Sequence, residues 1–136
     1  MGNKKSQRVI TFGSYDLFHV GHFNILRRAA ELGDTLIVGI SSDALHKKKK
    51  GDKPHYPFKL RAEIVSSLRF VDQIFLEASL DKKVDYIRRY KADILVMGSD
   101  WKGTFDSLSS LCKVVYLPRT EGISSTLIRS ILHGEK

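Results

Sequence analysis

A chain of 136 residues has room for one domain with one buried core. Its 42% hydrophobic and 28% charged residues are ordinary for a globular protein, and no apolar run approaches the ~18–20 residues that cross a bilayer. The net charge of +8 suits an anionic ligand such as polyphosphate, nucleic acid or a lipid surface, or else marks a basic surface with no partner.

In chain order, "MGNKKSQR" has no apolar stretch behind its charges, so it is not a secretory leader, and residues 1–7 read as a solvated tail ahead of a domain over 8–136. "RVITFG" (8–13) is a short β-rich run ending in glycine. Residues 22–32 place Ile25, Leu26, Ala29 and Leu32 on one helical side, with Gly33 as the stop. "TLIVGIS" (35–41) is nearly continuous apolar, as strands covered on both faces are. Residues 42–57 follow as a long irregular stretch, because "KKKKGDKPHYP" is too rich in Gly, Pro and charge for regular structure; its length marks a working loop. A helix over 58–69, a strand "QIFLE" (73–77), a helix over 81–90 and a strand "DILVMG" (93–98) come next. The lone Cys112 precedes the strand "KVVYLP" (113–118) and reads as a buried structural thiol; one cysteine suits the cytoplasm. Ser124 caps a last helix over 124–133, which Gly134 ends. This alternation predicts an α/β fold: a Rossmann-like, doubly wound, five-stranded parallel sheet with helices on both faces in a single domain. Such sheets bind ligands at the carboxyl ends of their strands.

Three features fall at strand exits. "FGSYDLFHVGH" (12–22) sets His19 and His22 around Gly21 at a helix start, where free N–H groups await an anion. A zinc site would need three or four ligands, and no Cys or His-Glu helical signature accompanies the pair, while His46, His55 and His133 are scattered; core packing is the other alternative. "MGSDW" (97–101) offers Asp100 and Trp101 to a base or sugar, or is a turn with a packed tryptophan. "RTEGISSTLIRSIL" (119–132) leads from Arg119 through a Gly122 turn to Ser124, Ser125 and Thr126 at a helix N-terminus, a second anion site compatible with simple capping.

"HVGH" resembles the H-x-G-H signature of the nucleotidylyltransferase superfamily, and "RTEGISST" that of its cytidylyltransferase branch. The two stand about a hundred residues apart, and similarity runs between them through "LGDTLIVGISSD", "LRFVDQI" and "VMGSDW". The chain is similar in particular to the short bacterial glycerol-3-phosphate cytidylyltransferases, which join CTP and glycerol 3-phosphate into CDP-glycerol with Mg²⁺ and act as homodimers. That resemblance implies His19, His22, Lys49 and Arg119 as catalytic residues. It implies nucleotide contacts from Phe12, Gly13, Ser14, Asp16, Gly21, Gly98, Asp100 and Trp101, and from Thr120, Gly122, Ile123, Ser124 and Ser125. Asp16, Lys49, Arg61 and Arg69 are the implied acceptor contacts, with Asp72 beside them near the dimer interface. No protein metal ligand is expected, the Mg²⁺ arriving on the CTP phosphates. The loop over 46–55 aligns with one residue extra, so the phosphate lysine is open among Lys47–Lys50 and Lys53. Ser99 and Ser125 replace the more usual Asp and Thr. The resemblance further implies a cytoplasmic enzyme with no nucleic-acid or membrane partner, feeding a glycerol-phosphate polymer such as wall teichoic acid. Ethanolamine phosphate, choline phosphate or another polyol phosphate remain alternative acceptors. A nucleic-acid-binding module and a non-catalytic nucleotide sensor are the readings from other classes.

Overall fold

The computed structural model describes residues 6–134, so residues 1–5 of the expected tail lie outside the described residues. Gln7 already belongs to the body, its N–H donating to the Asp34 carboxylate (2.7 Å) and its carbonyl accepting from Asp34 N and Thr35 N. Five strands form one parallel sheet in the order β3-β2-β1-β4-β5: β1 (Arg8–Gly13), β2 (Thr35–Ser41), β3 (Gln73–Glu77), β4 (Ile94–Gly98) and β5 (Lys113–Leu117). The chain builds outward from β1 to β3 and then returns to β4 on the other side of β1. A crevice therefore opens between β1 and β4, where strand order reverses.

Alternation along the strands sorts the core onto two faces. Val9, Leu36, Val38 and Val96 face one layer with Leu26 and Ala29 of α1 (Val20–Glu31) and Val65 of α3 (Phe58–Ser66). Ile10, Phe12, Ile37, Leu95 and Met97 face the other with Tyr86 and Ile87 of α4 (Lys83–Arg89) and Cys112. Both faces are covered, which is why the inner strands β1, β2 and β4 are mostly apolar. Burial raises the pKa of the Cys112 thiol, consistent with a structural role. Among the described residues, no helix is long and apolar enough to cross a membrane.

Two local expectations are corrected. Residues 43–50 are not loop but a helix, α2 (Asp43–Lys50), so the irregular stretch shrinks to residues 51–57. Ser42 caps it by accepting from Leu45 N (3.0 Å), Asp43 sits in its first turn and the four lysines in its last, each sign matched to the helix dipole. Gly51, at φ +91°, then stops it in the left-handed conformation. Gly33 is not such a stop: α1 ends on Leu32 in right-handed geometry, and Gly33 is small because a Cβ there would lie 2.7 Å from the Gln7 carbonyl oxygen. The last helix, α5 (Ser125–Leu132), is capped by Ser124 and followed by left-handed Gly134, as expected.

Candidate active site

A cleft of about 750 Å³ lies over the carboxyl ends of β1, β4 and β5. Its floor at β1 comes from Phe12, Gly13 and Ser14, and at β4 from Gly98, Asp100 and Trp101, the last two on a 3₁₀ turn over Ser99–Trp101. The helix expected from residue 22 starts two residues earlier, with His19 as N-cap. His19 Nδ1 accepts from Gly21 N (2.9 Å), and His22 Nδ1 accepts in return from His19 N (3.2 Å). The two rings stack with centroids 3.9 Å apart. With both Nδ1 atoms engaged as acceptors, each neutral ring carries its proton on Nε2. Gly21 has to be glycine for this: a Cβ there would lie 2.7 Å from His19 Cε1 and push the ring off its cap.

Burial, then the charges of His19, Arg119 and Lys50, depress the His22 pKa to about 3. Burial and Arg119 lower His19 as well. Both histidines are therefore neutral donors at pH 7. The segment leading to them is strained, with Tyr15 at φ +55° and Leu17 at φ +49°, as functional loops often are.

The opposite wall is built from the 119–126 run. Arg119, Thr120, Ile123, Ser124 and Ser125 all line the cleft. Arg119 is exposed and pairs with no carboxylate among the described residues. Thr120 Oγ1 accepts from Asn24 Nδ2 of α1 (3.0 Å), and Ser125 Oγ donates to the Asp16 carbonyl (2.6 Å). These two bonds tie the α5 wall to the α1 wall. Asp16, buried in the cleft, spends its carboxylate on His55 N (2.6 Å) and Tyr56 N (2.9 Å), which fixes the 51–57 loop over the site.

Helix α2 turns the lysine block into distinct positions. Lys49 and Lys50 line the cleft; Lys47, Lys48 and Lys53 do not. Lys49 Nζ donates to Ser41 Oγ (2.7 Å), and burial, opposed by Glu77 and reinforced by Lys83, Lys50 and Arg61, lowers its pKa to about 8.

Three expected residues are placed elsewhere. Gly122 forms the turn (φ +80°) behind the wall without lining the cleft. Arg69 is exposed in the turn after α3 and does not line the cleft, because the sheet's edge carries it away from the strand exits. Arg61 is fully buried and braces the site from behind. Its Nε donates to Tyr56 O, its Nη1 to Ser14 O (2.9 Å) and Ser41 O (2.8 Å), and its Nη2 to Asp43 Oδ1 (2.6 Å). Those commitments leave it holding three loops and not an acceptor phosphate. Asp72 likewise serves the sheet, accepting from Leu36 N (2.8 Å).

Sequence reasoning missed His46, Asp52 and Arg129, which also line the cleft, as does Lys50 from the lysine block it left open. Arg129 Nη2 lies 3.6 Å from Asp52 Oδ2 and closes the rim between α5 and the 51–57 loop. His46 and Ser14 present sealed polar atoms, Nδ1 and Oγ, that have no hydrogen-bond partner among the described residues. Arg129 could have been found from its place one turn into the last helix; His46 becomes visible only once α2 is recognised.

A family model described as cytidylyltransferase-like matches residues 10–131. A glycerol-3-phosphate cytidylyltransferase of Staphylococcus aureus is 45% identical over 129 residues, covering 95% of this chain and 97% of its own. One from Bacillus subtilis is 43% identical over 128 residues, covering 94% and 98%. Among solved structures, the lipopolysaccharide core biosynthesis protein from Thermoplasma volcanium GSS1 superposes with a TM-score of 0.75 at 26% identity, over 86% of this chain and all of the other.

Proposed function

The chain belongs to the cytidylyltransferase-like family, and from that premise we propose that it transfers CMP from CTP to glycerol 3-phosphate, giving CDP-glycerol and pyrophosphate. One observation carries the reading: the stacked His19–His22 pair, the N-termini of α1 and α5, and the exposed Arg119 guanidinium meet in a single cleft at the sheet's switch point. The relatives named as glycerol-3-phosphate cytidylyltransferases match over nearly their whole length, which favours that acceptor over choline or ethanolamine phosphate.

A phosphate monoester is largely dianionic at pH 7, its second pKa being about 6, so its oxygen attacks the α-phosphorus without a general base. The bond to pyrophosphate breaks as the new P–O bond forms. The protein's task is to let two anions meet. The Nε2–H groups of His19 and His22 and the Arg119 guanidinium face the triphosphate, and the Lys49 ammonium meets the incoming phosphate. Because the histidines are neutral, each accepts its backbone N–H on Nδ1 while its Nε2–H is left to donate to phosphate. Asp100 and Trp101, at the β4 exit, lie at the base end of the cleft. Ser14 and His46 line the cleft beside Lys49, on the side proposed for the acceptor.

Mg²⁺ fits this site as a passenger of the nucleotide. The residues around the phosphates are mostly cations, and both oxygens of buried Asp16 already accept backbone N–H groups. The ion supplies charge neutralisation on the phosphate oxygens. Homodimerisation and a cytoplasmic setting complete the proposal, together with a product that feeds a glycerol-phosphate polymer. Pyrophosphate release measured across a panel of phospho-alcohols with CTP and ATP tests it. Turnover with CTP and glycerol 3-phosphate is the expected result, and release only with another acceptor, or none with any, overturns it. Light scattering during size exclusion gives the oligomeric state.

A further inference from the structure

At the carboxyl end of β3, behind the cleft, the sheet holds a buried ion pair that the transfer chemistry does not touch. Glu77, the last residue of β3, is wholly buried, and Lys83, the first residue of α4, is almost so; Lys83 Nζ donates to Glu77 Oε2 at 2.6 Å. Burying two charges costs several kcal/mol, and their mutual attraction repays this only with good geometry and further hydrogen bonds. Apolar residues of similar size would serve stability as well, so the pair asks for another reason.

The reason lies in what the pair touches. Glu77 is the register partner of Ser41 at the carboxyl edge of β2 and β3, and Ser41 Oγ points to Glu77 Oε1 at 3.4 Å. The same hydroxyl accepts from Lys49 Nζ at 2.7 Å. Lys83 Nζ meanwhile sits 4.2 Å from the centre of the Phe12 ring, which lines the cleft floor. Ser41 has one proton: since it accepts from Lys49, that proton goes to Glu77. The chain of donors thus runs in one direction toward the carboxylate from each side, Lys49 through Ser41 and Lys83 directly.

We propose that Glu77 and Lys83 are positioning residues, a buried carboxylate held by one lysine so that it can aim another, Lys49, at the acceptor phosphate through Ser41. This rests on the reading of Lys49 as a substrate-binding cation, given above. Lys83 offsets the carboxylate's charge enough to keep Lys49 from collapsing onto it as a closed salt bridge. Lys49 stays partly free, beside Glu77, Lys83, Lys50, Arg61 and His46, with its ammonium open to the cleft.

Two variants and two readouts test this. In Glu77→Gln the attraction that raises the Lys49 pKa is gone, so its side-chain NMR signal (assigned by its loss in Lys49→Arg) titrates at lower pH than in the parent. The alkaline limb of kcat/KM for pyrophosphate release moves the same way. The double variant Glu77→Leu/Lys83→Met removes both charges together and keeps the fold, as judged by circular dichroism and urea midpoint. Its kcat falls on the order of 10- to 100-fold with the KM for CTP little changed, as misplacement of one reacting partner predicts. A folded double variant with parental kcat, or a Lys49 signal in Glu77→Gln that titrates where the parent's does, overturns the proposal. The NMR titration needs no turnover, so an inactive parent protein would overturn the cytidylyltransfer reading while leaving the positioning claim to stand or fall separately.

Discussion

The buried, neutral His22 couples stability to acidity, and the coupling can be worked out. Its pKa is 6.5 when unfolded and about 3 when folded. Between those values the unfolded chain binds the extra proton, so folding stability is complete above about pH 6.5 and falls as pH drops toward 3. At pH 5 the loss is RT ln[(1 + 10^1.5)/(1 + 10^−2)], about 2 kcal/mol relative to pH 7.5. Other depressed groups, His19 and His46, push in the same direction, so the wild-type slope alone does not isolate His22. His22→Gln does. Glutamine at the third helical position can still accept the N-cap N–H, as in ordinary capping boxes, but does not titrate. Urea denaturation at pH 7.5 and 5.0 should show the parent losing about 2 kcal/mol more than His22→Gln, which at a slope of roughly 2 kcal/mol per molar is a midpoint difference near 1 M. Equal losses in the two proteins, or a His22 imidazole NMR signal titrating near its ordinary value, would refute the reasoning.

Three further substitutions separate holding the site from acting in it. His19→Ala should cost about 1 kcal/mol of stability for the lost cap and 10²–10³ in turnover, while His19→Asn restores the cap but not the turnover; thermal melts beside pyrophosphate release decide it, and an active Asn variant would place the role in the cap alone. Gly21→Ala gains helix propensity of roughly 0.5–1 kcal/mol yet displaces His19, so it should melt near the parent temperature while losing about 10² in kcat. Arg61→Met strands Ser14 O, Ser41 O, Tyr56 O and Asp43 and should cost about 3–5 kcal/mol in urea unfolding; a stable variant with only a raised KM for glycerol 3-phosphate would return Arg61 to the substrate.

The sheet was legible because its inner strands are buried on both sides and so carry their signal in runs such as "TLIVGIS", whose every residue but the first is buried. Helix α2 was not legible, because its cue is a dipole match and not a hydrophobic stripe. Leu45 and His46 are its buried residues, and a block of four lysines reads as solvated loop until Ser42 and Gly51 are seen as its caps. Motif residues near the strand exits landed in the cleft. Residues assigned by resemblance alone did less well where a long side chain can turn either way: Arg61 points inward to three carbonyls and a carboxylate, and nothing in its sequence neighbourhood says so. Glu77 and Lys83 escaped notice for a similar reason, since a charged residue at a strand end reads as exposed until its partner six residues later is found buried beside it.

The spacing of the H-x-G-H stretch follows from helix geometry. An N-cap and the third helical residue are the two positions that can cap each other, and they are three apart in sequence. Histidine at both turns the usual box of hydroxyl and carboxylate into one of two imidazoles, each accepting a backbone N–H on Nδ1. Acceptance at Nδ1 forces the proton to Nε2, and stacking at 3.9 Å aligns the two outward edges. Glycine between them is the only residue that leaves the first ring room. A serine–glutamate box would cap this helix equally well but would present an anion to a triphosphate. The imidazole pair caps it while presenting two neutral donors, and burial first, with Arg119 beside them, keeps both rings from protonating and losing their caps. The motif is therefore a helix cap and a phosphate clamp made from the same atoms, and a substitution that spares one half of that role need not spare the other.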